Sequence, residues 1–123
     1  MNYSKTIYAR ITISDYGVSM LTEVFGNGPE IRVLDFLLSH VGYDYTLTDI
    51  SRETGVSRPT LYKMWSRFKL LGIIKKTRQI GNAQLYQLDD TNPIVKKLEE
   101  FDFSLSRLIE ERKSKPKGIG LME

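Results

Sequence analysis

Cysteine is absent from the 123 residues, which excludes disulfides, a thiolate nucleophile and thiolate metal ligation. Histidine occurs once, as His40. With no cysteine and no second histidine to join it, neither a metal site nor a general base has the partners it needs, and a cap or surface role fits a position near the end of a helical stretch. No apolar run exceeds a few residues and the first residues lack the apolar core of a secretory signal, so the expectation is a cytoplasmic protein with no membrane partner. A phosphate-cradling glycine loop is missing, and Gly26-Asn27-Gly28 reads as a connector. The carboxylates Glu99, Glu100, Asp102, Glu110 and Glu111 fall along one charged stretch and read as a solvated face. Nothing assembles into a catalytic constellation; no enzyme, no cofactor and no metal are expected.

One further absence is local. From Thr54 to Leu88 there is no Asp or Glu, yet seven of the 18 basic residues fall there: Arg58, Lys63, Arg67, Lys69, Lys75, Lys76 and Arg78. The rest of the chain is left with 11 basic against 15 acidic residues, a balance of −4 in a protein whose net charge is +3. Segregation of this kind is the electrostatic footprint of a surface that neutralises nucleic-acid phosphates. What remains is ordinary: 41% hydrophobic and 27% charged residues point to a soluble globular chain of a length that supports one domain with appended elements.

The same stretch carries the clearest local signals. Ser57 can accept a free N–H of a first helical turn, and Pro59 is tolerated there because that turn needs no intrahelical N–H bond. Leu61, Met64, Trp65, Phe68 and Leu71 recur at helical spacing and predict a buried face, which makes Trp65 and Phe68 core residues rather than a base-stacking platform. Thr60, Tyr62, Lys63, Ser66 and Arg67, with Arg58 in the first turn, occupy the other face, where no carboxylate interrupts them. Gly72 can end the helix in the left-handed conformation. Ile73 to Arg78 and Ala83 to Leu88 are β-rich runs joined by Gly81-Asn82, which suits a tight hairpin turn. Alternation in the second run sets Leu85 and Ala83 apart from Gln84, Tyr86 and Leu88.

Upstream, Ile7, Ala9, Ile11 and Ile13 alternate with Tyr8, Arg10, Thr12 and Ser14, a half-buried strand pattern. Val18, Leu21 and Phe25 fit a short helix. Pro29 opens the next helix, with Glu30 at the positive end of its dipole and Ile31, Leu34, Leu37, Leu38 and Val41 as its apolar stripe. Gly42 to Tyr45 reads as a loop, after which Thr46 or Thr48 caps a helix over about Leu47 to Thr54, and Gly55 turns the chain into the basic helix.

The runs TDISRETGVSRPTLYK (Thr48 to Lys63), LGIIKK (Leu71 to Lys76) and GNAQLYQL (Gly81 to Leu88) resemble the winged helix-turn-helix of small prokaryotic transcription regulators of the MarR, ArsR and PadR kind and their archaeal relatives. The resemblance covers roughly Pro29 to Leu88. It implies double-stranded DNA as partner, a recognition helix in the major groove over Ser57 to Arg67, and a wing over the backbone or minor groove at Lys76 to Asn82. Within that scheme Arg58 could read guanine, while Thr60, Tyr62 and Lys63 contact base edges or phosphates and Ser57, Pro59 and Ser66 complete the surface. Arg67, Lys69, Lys75, Lys76 and Arg78 would neutralise phosphates, with Gln79 and Asn82 at the wing tip. Thr46, Thr48 and Arg52 on the preceding helix could also touch phosphates.

After the wing, Asp90-Thr91-Asn92-Pro93 stops the chain and starts a new helix. Ile94, Leu98, Phe101, Leu105 and Leu108 recur at four, three, four and three, a pattern held for two heptads and widened by Val95 and Ile109. Two covers fit this stripe, the subunit's own core and a second copy; the homodimer is the expectation. The fold expected is therefore mainly α with a small β-wing (α+β). It divides into an N-terminal strand and short helix (1–28), a winged helix-turn-helix (29–90), a C-terminal dimerisation helix (91–113) and a flexible basic tail (114–123). The functional expectation is a sequence-specific regulator binding a palindrome with half-sites ~34 Å apart. The alternative is a winged-helix interaction subunit of a transcription, replication or segregation assembly that touches DNA only weakly.

Overall fold

The computed structural model describes residues 20–114; the strand expected over Met1 to Ser14 and nearly all of the basic tail lie outside them. The elements run α1 (Leu21–Phe25), α2 (Pro29–Ser39), β1 (Asp44–Tyr45), α3 (Leu47–Thr54), α4 (Arg58–Leu70), β2 (Ile74–Ile80), β3 (Ala83–Leu88) and α5 (Pro93–Ser114). Three antiparallel strands in the order β1-β3-β2 form the sheet. This is the mainly helical winged fold that the sequence implies.

The helix boundaries follow from local chemistry. Thr46 caps α3 in a reciprocal box: the Asp49 N–H donates to the Thr46 hydroxyl at 3.0 Å, and the Thr46 N–H donates to the Asp49 carboxylate at 3.1 Å. Two donors that the first turn would otherwise leave unmet are thereby satisfied. Of the two threonines offered by the sequence, Thr46 is the cap. Ser57 caps α4 by accepting from the Thr60 N–H. Its far end closes with paired bonds, Gly72 N–H to the Lys69 carbonyl at 3.0 Å and Ile73 N–H to the Phe68 carbonyl at 2.9 Å. That geometry needs a left-handed residue, and Gly72 supplies it at φ +73°.

Asn92 joins this end of α4 to α5. Its amide donates to the Leu71 carbonyl at 3.0 Å, while its side-chain oxygen accepts from the Ile94 and Val95 N–H groups at 2.7 and 3.3 Å. One side chain thus caps the start of α5 and ties it to the last turn of α4.

The core is built where α2, α3, α4, β2, β3 and α5 meet, from Val33, Phe36, Leu37, Ile50, Leu61, Met64, Trp65, Phe68, Ile74, Tyr86, Leu88 and Val95. Burial of each large apolar side chain contributes ~1.5–3 kcal/mol. Three sequence expectations are corrected here. In α2 the deepest residues are Val33, Phe36 and Leu37, whereas Ile31, Leu34 and Val41 only pack against the margin, so the stripe is rotated from the expected one. Leu71 is 49% exposed because it is the capping residue after the last helical turn and no longer follows the helical face. Gly42 to Tyr45 is not all loop, since Asp44 and Tyr45 pair with Gln87 and Tyr86 as a short edge strand. Tyr45 stacks near Phe36 and His40, and burial pushes its hydroxyl up to about 12. His40 sits at the end of α2 as its cap residue.

Candidate nucleic-acid interface

α3 and α4 meet through Gly55, whose φ of +75° allows the abrupt turn. Between them Ser51 donates to the Val56 carbonyl at 2.6 Å, and Ile50, Val56 and Leu61 are buried beneath the corner. The apolar residues of α4 at Leu61, Met64, Trp65 and Phe68 all face this core. The opposite face is therefore turned to solvent, with Tyr62, Lys63, Ser66 and Arg67 exposed along it.

The sequence-predicted residues divide by what holds them. Ser57 and Thr60 are occupied by the cap, their hydroxyls 3.0 Å apart, and Pro59 is exposed beside them. Arg58 lies across the corner: it donates to the Thr48 hydroxyl of α3 at 2.5 Å and to the Tyr62 hydroxyl of α4, with its guanidinium carbon 5.1 Å from the Tyr62 ring centre. Thr46, the N-cap of α3, is committed to the capping box, whereas Thr48 belongs to the surface cluster. Arg52, also on α3, pairs with Asp49 at 2.9 Å.

Arg67 forms an ion pair with Glu30 at the start of α2, at 2.9 Å. The hydrogen bond from Arg67 holds the Glu30 carboxyl below the usual range. Arg78 grips Asp44 with two bonds, 2.9 and 3.1 Å, and Thr77 adds a third at 2.6 Å. Those bonds, that of Arg78 first, hold Asp44 below the ordinary carboxylate range. The counter-ions Glu30 and Asp44 were not legible as part of this surface, because each lies more than 30 positions from its partner and no local pattern marks the pairing.

A register shift between Lys76 and Gln79 explains how Arg78 reaches Asp44. Lys76 pairs with Tyr86 and Gln79 with Gln84, so Thr77 and Arg78 together face the single residue Leu85. An extra residue of this kind bends the strand and re-aims its side chains. The bridge from β2 to β1 thereby spans β3 between Leu85 and Gln87, and Leu85 is buried without belonging to the core cluster. The face set apart by alternation, Tyr86 and Leu88, is the one that joins the core. Gly81, at φ +61°, and Asn82 make the two-residue turn at the wing tip, where Gln79 and Ile80 are exposed.

Of the seven cations, Lys63, Lys69, Lys75 and Lys76 are exposed and make no ion pair among the described residues. The arrangement offers four mobile point charges, one fixed guanidinium and a run of hydroxyls on the solvent side of α4 and the wing. No group of three His, Asp or Glu able to hold a metal occurs among the described residues, and none of their helices is long and apolar enough to cross a membrane.

The residues expected for dimerisation lie on α5 and split into two sets. Leu98 and Leu105 are half-buried, with Leu98 packed against the core, whereas Ile94, Phe101 and Leu108 are 41%, 42% and 57% exposed. Val95, which only widened the sequence pattern, is the residue of α5 that reaches the centre of the core.

The chain is similar to MepR, a transcription regulator of the Staphylococcus aureus multidrug efflux pump MepA, at 17% identity over 99% of this chain and 91% of that one, with a TM-score of 0.57. It is similar to a MarR-family transcriptional regulator from Silicibacter pomeroyi at 12% identity over 98% and 82% of the two chains, TM-score 0.53. Against the oxidised form of MarR from E. coli the identity is 12% over 99% and 90%, TM-score 0.51. The fold is that of the MarR-type winged-helix transcription regulators, as the Thr48 to Leu88 resemblance implies. No family model matches the sequence, and no curated protein matches it either.

Proposed function

We propose that this chain is a sequence-specific, double-stranded DNA-binding transcription regulator acting as a homodimer. The observation that carries the reading is the solvent face of α4 and the wing: it bears Arg58, Tyr62 and four unpaired lysines with no carboxylate between Thr54 and Leu88. α4 enters the major groove with its N-terminal half, α3 braces it across the backbone, and Gln79 to Asn82 at the wing tip follow the backbone or minor groove. Lys63, Lys69, Lys75 and Lys76 neutralise phosphates, whereas Arg67 and Arg78 are held by Glu30 and Asp44. Ile94, Phe101 and Leu108 stand seven residues apart on α5 and pack against a second copy, with Leu98 and Leu105 at the seam. The likeness to MarR-family regulators supports the same reading through the fold.

Fluorescence anisotropy against the chain's own upstream DNA and a random duplex, over a salt series, tests it. Tighter binding to the upstream DNA is expected, with a log–log salt slope of roughly −3 to −4 per subunit, since each of about four phosphate contacts contributes ~−0.9. Weak binding to both duplexes would favour the winged-helix interaction module instead, and equal, tight binding to both would indicate a non-specific architectural role.

A further inference from the structure

We infer that Thr48 and Tyr62 are positioning residues that hold the Arg58 guanidinium ready for one guanine in each half-site, so that specificity at that base pair is set by a three-residue cluster spanning α3 and α4. The inference rests on the DNA-binding reading above. An arginine on an exposed helical turn ordinarily samples many rotamers and contacts phosphates indiscriminately. Arg58 does not have that freedom. One terminal nitrogen donates to the Thr48 hydroxyl at 2.5 Å, the other donates to the Tyr62 hydroxyl, and the Tyr62 ring lies beneath the guanidinium at 5.1 Å.

The remaining donors define what the group can read. A guanidinium carries five N–H bonds. The Nε–H is buried, and two of the four terminal N–H bonds are taken by Thr48 and Tyr62. One donor is left on each terminal nitrogen, in a plane fixed from both helices. Two such donors match the O6 and N7 acceptors of guanine in the major groove, whereas adenine presents a donor at N6 in place of O6. Because the orientation is set before DNA arrives, little rotamer freedom is lost on contact.

The buried Nε has no hydrogen-bond partner among the described residues. An unmet buried donor opposes this pose, so the pose depends on both hydroxyls. Removing either one releases Arg58 into solvent, where it still attracts phosphates but no longer selects a base. Lys63 on the same face, with no such support, binds without base preference.

The test selects bound sequences from a randomised duplex library with the full chain, then measures anisotropy on the selected site and on single-base variants of it. The wild type is expected to select a G·C pair in each half-site whose exchange for A·T weakens binding roughly tenfold or more. Arg58→Ala should abolish that discrimination. Thr48→Val and Tyr62→Phe, each losing one hydroxyl at an exposed position, should reduce it to about threefold or less while the thermal midpoint stays unchanged. Thr48→Ser should restore it. Discrimination that survives both hydroxyl deletions but not Arg58→Ala leaves the DNA-binding reading standing and overturns the positioning role. A lowered thermal midpoint in the hydroxyl variants would show a merely structural role and overturns it too. A wild type that selects no sequence overturns the reading beneath both.

Discussion

α4 and α5 carry apolar stripes of nearly the same spacing, yet the two stripes meet opposite fates. Leu61, Met64, Trp65 and Phe68 of α4 are all buried in the subunit's own core, whereas Ile94, Phe101 and Leu108 of α5 stay exposed and Val95 alone is fully covered. Periodicity identifies an apolar face but not its cover. The cover of α4 comes from α2, α3 and the sheet, which fold around it within about 60 residues of chain. α5 starts at the Asn92 joint and touches α1 as far along as Phe101 and Asp102, but its outer stripe is left uncovered by the described residues.

The widest separation between the two helices is expected from truncation of matched leucines. Leu61→Ala removes a fully buried side chain and should destabilise the fold by ~2–5 kcal/mol, a large part of the stability of a small domain. Leu108→Ala, on the exposed stripe, should change the unfolding free energy of the isolated subunit by less than ~0.5 kcal/mol. Urea denaturation measures both. Sedimentation should then show the reverse ranking: Phe101→Glu with Leu108→Glu is expected to leave a folded monomer. A double variant that still sediments as a dimer would mean that the α5 stripe is not the seam.

The joint between the two regions comes next in size. Gly72→Ala places a Cβ 2.7 Å from the Asn92 amide nitrogen in a left-handed conformation that only glycine adopts freely. Asn92 cannot yield easily, because both ends of its amide are bonded, to Leu71 and to the start of α5. Backbone strain of ~1–2 kcal/mol and one lost hydrogen bond of ~1 kcal/mol together predict a loss of ~2–3 kcal/mol. A thermal midpoint unchanged by Gly72→Ala would show that the joint is slack.

Thr46→Ala tests the corner alone, where the capping box accounts for ~1 kcal/mol. This corner was also the most legible part of the sequence. Its determinants are short-range: Thr46 with Asp49, Ser57 with Thr60, the glycines at 55, 72 and 81, and a helical repeat within one segment. What escaped the sequence was non-local. β1 is two residues long, too short for alternation to show, and exists because β3 presents an edge to pair with. The rotation of the α2 stripe towards Val33 and Phe36 depends on which side α3 and α4 approach from. Two of the five cations expected to neutralise phosphates, Arg67 and Arg78, pair with carboxylates more than 30 residues away, and the shift that turns Arg78 toward Asp44 is a property of strand pairing. The charge segregation of this surface was therefore readable in the sequence, but not which of its cations the fold pairs with carboxylates.

The smallest effect expected is on the wing, and its sign follows from the carboxylate. The Arg78 bond, then that of Thr77, holds the Asp44 carboxyl below its ordinary value. A group whose pKa is lowered by folding contributes its stabilisation in full above its unfolded value, about 3.9, and loses it as pH falls through the folded value. The bridge should hence be intact at neutral pH and open only in acid below about pH 4. An NMR titration of the Asp44 carboxyl is expected to show a depressed midpoint in the wild type and one closer to the ordinary value in Arg78→Gln, where the Thr77 bond remains. The pair is exposed to solvent, so global stability should barely move between these proteins; what should change is the protection of the Ile74 to Ile80 amides against exchange. A normal Asp44 midpoint in the wild type would mean that the wing is not pinned to β1, that Arg78 is free for phosphate, and that the salt slope should rise by about one contact per subunit.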